Sequence, residues 1–192
     1  MSSLVLTGDT SGQVTISAPA VAGSNTLTLQ AATGTMSVNT LATAVASTSG
    51  TSITFSSLPA WVKRITVMFN GVSTSGTSSI LIQIGAGSVT NTGYASVSSR
   101  FGASSGASGN YTTGFGIFQA AAADVIGGAI QLTNHSSNIW VASGATSATN
   151  STANMTTSGY ISLSGTLDRV VITTVNGTDT FDAGSVNILY EG

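Results

Sequence analysis

The chain has 192 residues and a mass of 19.0 kDa, room for one domain or for a small domain with an appendage. Charged residues make up 5% of it, against about 25% in ordinary globular proteins, and the net charge is −2. Four basic residues (Lys63, Arg64, Arg100 and Arg169) cannot neutralise a phosphate track, which argues against a nucleic-acid binder, and the absence of cysteine removes disulfides and thiolate metal sites.

Ser, Thr, Asn and Gly supply the polarity instead. They suit strand faces and turns, and with 23 Gly against two Pro the turns are mostly glycine turns. The start, MSSLVLTGDT, has neither a basic region nor an apolar run of useful length, so no secretory signal is read there. The most apolar run, Phe115 to Leu132, is broken by Gln119 and Asp124 and falls short of a membrane span. The expectation is a chain made in a cytoplasm and not inserted in a membrane. Five Asn-x-Ser/Thr sequons, at Asn110, Asn134, Asn150, Asn154 and Asn176, are what chance gives in so Ser/Thr-rich a sequence.

Residues 1–38 form a first block. Short alternating pieces centre on Leu4/Leu6, Val14/Ile16 and Leu27/Leu29, split by Gly-Asp, Ala-Pro and Gly-Ser-Asn turns. A buried aliphatic is worth roughly 1.5–3 kcal/mol, whereas ordering the backbone costs about 1–2 kcal/mol per residue. So few aliphatics cannot enclose a core alone, and copies of the same segment are the simplest partners. Residues 39–50, largely Ser, Thr and Ala, read as a linker.

From Thr51 onward strand signals recur. Ile53 and Phe55 alternate with small polar residues, and Leu58-Pro59-Ala60-Trp61 makes a corner. Ile65, Val67 and Phe69 form one face of a strand before a turn at Asn70-Gly71. Ile80, Ile82 and Ile84 give the next strand. Tyr94 to Asn110 reads as a long Ser/Gly/Ala loop, and Ala145 to Thr157 as another. Tyr111 to Phe118 is extended with Gly interruptions. Ala120 to Asp124 is the one stretch compatible with a helical turn. Ile130/Leu132, Ile139/Val141 and Ile161/Leu163 are further strand centres. The closing stretch, LDRVVITTVNGTDTFDAGSVNILYEG, reads as a strand at Val170/Ile172, a type I′ turn at Asn176-Gly177, a second turn at Asp182-Ala183-Gly184, and a final strand with Val186, Ile188 and Tyr190 on one face. Short strands at near-regular spacing with Gly turns predict a mainly β protein. The expected form is an N-terminal β segment followed by an antiparallel, jelly-roll-like β-sandwich over residues 51–192.

Little in the chain invites catalysis. Gly102-Ala103-Ser104-Ser105-Gly106 matches G-x-S-x-G, with Asp124 and His135 in the order of a hydrolase triad, but no βα alternation surrounds it. His135, the only histidine, sits in a turn without a ligand set for zinc. Asp179 and Asp182 could offer oxygens to calcium, yet turn stabilisation explains two Asp there more simply. No catalytic residue, cofactor or metal is therefore assigned. Aromatic rings beside Asn, Ser and Thr suit sugars, which present both C–H faces and hydroxyls. Tyr94, Tyr111 and Trp140, with His135, are the candidate receptor contacts because long loops flank them in this reading.

The run GDTSGQVTISAPAVAGSNTLTLQAATGT (residues 8–35) resembles a module of tail-fibre and other virion proteins of tailed bacteriophages. The C-terminal run GTLDRVVITTVNGTDTFDAGSVNILYEG is similar to the close of a phage fibre head. Together they cover about a third of the chain. The resemblance implies a short tail fibre in the virion, working as a homotrimer. It would attach to other virion proteins through Leu4, Leu6, Val14, Ile16, Leu27 and Leu29, and the head would meet a host surface component such as a glycan. A capsid decoration protein is the alternative, and an esterase or depolymerase a remote one.

Overall fold

The computed structural model describes residues 3–8, 10–17, 34, 36–102 and 106–192. Leu27 and Leu29 lie outside the described residues, as does most of the N-terminal run that carries the resemblance. The described structure is all strand, turn and bend, and the chain divides into two units, Met1–Met36 and Ser37–Gly192. No helix among the described residues is long and apolar enough to cross a membrane.

The first unit contains a two-stranded antiparallel hairpin of β1 (Ser3–Thr7) and β2 (Gln13–Ser17). Gly12, at φ 80°, closes it, and the Gly8 N–H donates to the Gly12 carbonyl at 3.0 Å. Leu4 lies opposite Ile16 and Leu6 opposite Val14, so strand alternation puts these four aliphatics on one face. Val5 and Thr15 fall on the other.

The second unit is the expected mainly β, antiparallel sandwich. Its strands are β3 (Asn39–Leu41), β4 (Val45–Ala46), β5 (Ile53–Ser56), β6 (Arg64–Thr74), β7 (Ile80–Ala86), β8 (Ser88–Val89), β9 (Ala95–Phe101) and β10 (Gly106–Tyr111), then β11 (Phe115–Ile117), β12 (Ile126–Ser136), β13 (Ile139–Ala148), β14 (Ala153–Ser162), β15 (Arg169–Thr174) and β16 (Phe181–Glu191). The larger sheet runs β10-β9-β14-β13-β12-β6-β16, with β3 and β4 both on the outer side of β16. The smaller sheet runs β11-β7-β15-β5, with β8 folded against β7. The chain crosses between sheets at β5–β6 and β6–β7, as in a jelly roll, whereas β12, β13 and β14 form a meander within one sheet.

The two sheets bury one continuous core. Val67 on β6 has Ile188 of β16 on one side and Ile130 of β12 on the other, and all three are fully buried. Ile80, Ile82 and Ile84 face them from the smaller sheet, with Val170 and Ile172 beside Ile84 and Ile82.

Several expected loops and turns are strands. Residues 39–50 were read as a linker, yet 39–41 and 45–46 pair with β16, and the Ala42 N–H donates to the Ile188 carbonyl at 2.9 Å. Tyr94 to Asn110 is mostly β9 and β10, and Ala145 to Thr157 holds the ends of β13 and β14. Ala120 to Asp124 makes a single non-helical turn, closed from the Asp124 N–H to the Ala121 carbonyl. Asn176-Gly177 is a turn, but Asn176 has no positive φ. The bond from the Gly177 N–H to the Thr174 carbonyl puts Gly177 at its last position, which is not a type I′ geometry. It also joins β15 of the smaller sheet to β16 of the larger one, so the ending is a crossover and not a hairpin.

Asn70-Gly71 and Asp182-Ala183-Gly184 were read as turns and instead lie inside β6 and β16. Gly71 (φ 65°) and Gly184 (φ 86°) mark bulges where the ladder shifts and then recovers its register. A Cβ on Gly184 would collide with the backbone of Asn70 and Gly71. Gly177 has a similar φ of 68° but open space around it. Gly177→Ala should therefore cost about 1–2 kcal/mol from left-handed strain alone. Gly184→Ala should cost about 1–3 kcal/mol more, because the methyl overpacks a strand pair. Urea unfolding of the two variants side by side measures the difference.

Candidate functional site

The exposed face of the larger sheet carries an apolar groove of about 930 Å³ where β9, β13 and β14 run side by side. Alternation explains it. Trp140 and Ala142 of β13 and Ile161 of β14 turn into the core, so Ile139, Val141 and Tyr160 turn outward. Tyr160 pairs with Val141 across one ladder and Ala95 across the next, and Val97 lies between Ser158 and Asn110. Val97, Ile139 and Val141 are about two-fifths exposed and Tyr160 is 59% exposed. His135, at the bulged end of β12, and Asn110 also line the groove. Among the described residues, no Asp, Glu, Lys or Arg lines it.

The four candidate receptor contacts part company. His135 is exposed at the groove, with its Nδ1 3.0 Å from the Ser136 hydroxyl. Trp140 is a core residue at 2% exposure, facing away from solvent, and so is not placed to touch a receptor. Tyr94 and Tyr111 line the groove, but they are buried and their hydroxyls are spent inside the protein. The Tyr94 hydroxyl accepts from the Ile84 N–H at 2.8 Å and donates towards the Thr90 carbonyl at 3.0 Å, while its ring meets Phe115 edge-on at 5.0 Å. Burial pushes that hydroxyl up to about 12, only partly offset by the Ile84 bond. The Tyr111 hydroxyl donates to Ser79 Oγ at 2.9 Å, and burial raises its pKa too. A Cβ on Gly109 or Gly116 would strike the Tyr111 ring, so both glycines make room for it.

The sequence reading missed Val97 and Tyr160. A signal was present: Ile139-Trp140-Val141 and Tyr160-Ile161 are consecutive apolar residues, and in a strand neighbours point to opposite faces. Such runs put apolar groups on the solvent side as well as in the core.

Among the described residues, the triad-like set does not come together. Residues 103–105 of the G-x-S-x-G match, including Ser104, lie outside the described residues. Asp124 shares no hydrogen bond with His135. It accepts from Arg100 at 2.7 Å, the Ser151 hydroxyl at 2.8 Å, and the N–H groups of Ala120 and Ala121 at 3.0 and 3.2 Å. Arg100 also reaches Ser151 at 2.9 Å, so β9, the 120–124 turn and the β13–β14 tip are fastened together. Asp179 accepts from the Ser78 N–H and the Asn176 amide, and Asp182 accepts from the Ser73 hydroxyl; both act as turn and strand fasteners. Among the described residues, no three His, Asp or Glu stand together as a metal site would need.

No protein-family model, curated protein or solved structure matches the chain.

Burial pushes the Asp124 carboxyl up, but the bonds from Ala120, Ser151, Arg100 and Ala121 outweigh it and hold the group below the ordinary value. A depressed pKa gives stability that is complete above the usual Asp range near about 3.9 and is lost as pH falls through the folded-state value. Asp124→Asn leaves Arg100 without its counter-charge and should cost about 3 kcal/mol at neutral pH. That gap should narrow steadily as acid protonates Asp124 in the parent, which urea titrations at neutral and acid pH would show.

Proposed function

We propose that the chain is a non-enzymatic structural protein of a tailed-bacteriophage virion, a short tail fibre. Its N-terminal segment gathers copies into a homotrimer and attaches them to other virion proteins. Its sandwich faces outward and contacts the host surface.

One observation carries this reading. The hairpin presents Leu4, Leu6, Val14 and Ile16 on one face, at 57, 53, 63 and 49% exposure. A two-stranded hairpin is marginal at best in water, and four half-exposed aliphatics give it nothing to pack on. Identical faces from neighbouring copies would bury all four and complete a small core about a symmetry axis. The resemblance at both ends of the sequence points the same way. On the other unit, the sandwich offers a broad sheet face, and the groove is an apolar concavity of about 930 Å³ on it.

Sedimentation of the full chain at micromolar concentration should give three times the 19.0 kDa chain mass. The double variant Leu6→Asn, Ile16→Asn should sediment as a single chain with an unchanged melting profile for the sandwich. A parent protein that is already monomeric refutes the assembly. Electron microscopy of particles bearing a tagged chain should place it at the tail; copies spread over the shell would favour a decoration protein.

A further inference from the structure

We infer that the groove over β9, β13 and β14 is a binding site for an uncharged oligosaccharide. This rests on the reading of the sandwich as the host-facing part of the chain.

Three observations converge. The first is charge. Apart from the His135 imidazole at its end, the lining has no group to pair with a charge, so a phosphate, uronate or cationic peptide would lose its hydration there for little counter-charge in return. A neutral ligand incurs no such cost. The second is pattern. Across the ladders, Val97 has Ser158 on one side and Asn110 on the other, while Tyr160 sits between Val141 and Ala95. In the first row apolar and hydrogen-bonding groups alternate at the strand spacing of about 4.8 Å, of the order of one sugar ring, and in the second Ala95, Tyr160 and Val141 stand together as an apolar strip. A pyranose presents the same mixture, a C–H face bordered by hydroxyls. A purely apolar partner would leave Asn110 and Ser158 unpaired, and a purely polar one would leave Tyr160 and Val97 wet. The third is size. About 930 Å³ lies within the usual range for small-ligand sites and holds a short oligosaccharide.

Tyr160 provides the test. Its ring is the most exposed large apolar side chain in the groove, its hydroxyl bonds to no described residue, and it is no part of the core. The full chain would be applied to a printed array of bacterial oligosaccharides, neutral and acidic, and hits measured by titration calorimetry. Neutral oligosaccharides should bind. Tyr160→Ala should weaken them about tenfold or more, and Tyr160→Phe, which keeps the stacking face, by less than about threefold. Val97→Asp should abolish binding without moving the native mass. Binding confined to acidic glycans, no binding at millimolar ligand, or binding indifferent to Tyr160→Ala overturns the assignment. A native mass that changes on Tyr160→Ala also overturns it, because the groove would then be a contact between copies. Adsorption to bacterial cells separates the two readings. Loss of adsorption in Tyr160→Ala without neutral-glycan binding overturns the ligand class alone. Glycan binding through Tyr160 with adsorption unaffected overturns the host-contact role instead.

Discussion

The sandwich hangs on one ladder, β16–β6–β12. Val67 touches water nowhere, and its neighbours Ile130 and Ile188 come from segments far apart in the chain. If β16 slipped by one residue, Val186, Ile188 and Tyr190 would turn to the opposite face, so burial itself fixes the register. The facing bulges at Gly71 and Gly184 reinforce that choice, because only there can the two backbones approach so closely. Arg64 of β6 and Glu191 of β16 add a paired bond at 2.8 Å near the far end of the same strand pair. β3 and β4 then take the remaining edge of β16, which leaves less of it open to stray pairing.

The parts of the fold that were legible are those in which aliphatics alternate with polar residues. β5, β6, β15 and β16 show their inward faces plainly, as Ile53/Phe55, Ile65/Val67/Phe69, Val170/Ile172 and Val186/Ile188. β9 and β14 hid because their inward residues include hydroxyls. Ser96 and Ser98 are buried and accept from the Gly116 and Phe118 N–H groups, and buried Thr157 donates to the Gly116 carbonyl at 2.7 Å. At this end the sheets are held together through hydroxyl-to-backbone bonds, so a polar composition signified strand and not loop. The glycine signals misled for a related reason. A left-handed glycine serves a bulge as well as a turn, and only the pairing on both sides tells them apart.

The candidate site was half legible. Of the candidates chosen by looking for rings and polar groups near loops, His135 does reach the groove as an exposed side chain. Tyr94 and Tyr111 were chosen because long loops seemed to flank them. Once those loops became strands, the rings became struts between the sheets, their hydroxyls committed to Ile84, Thr90 and Ser79. The exposed ring belongs to Tyr160, whose partner in sequence, Ile161, takes the inward position.

The arginines carry a further implication. Arg64, Arg100 and Arg169 each close on a carboxylate of their own chain: Glu191, Asp124 and Asp168. The protein spends its scarce charge on internal fastening and keeps its exterior almost electrically silent. Dissolved ions act on proteins largely by screening exposed charge. With so little to screen, such a surface should respond only weakly to screening by dissolved salt.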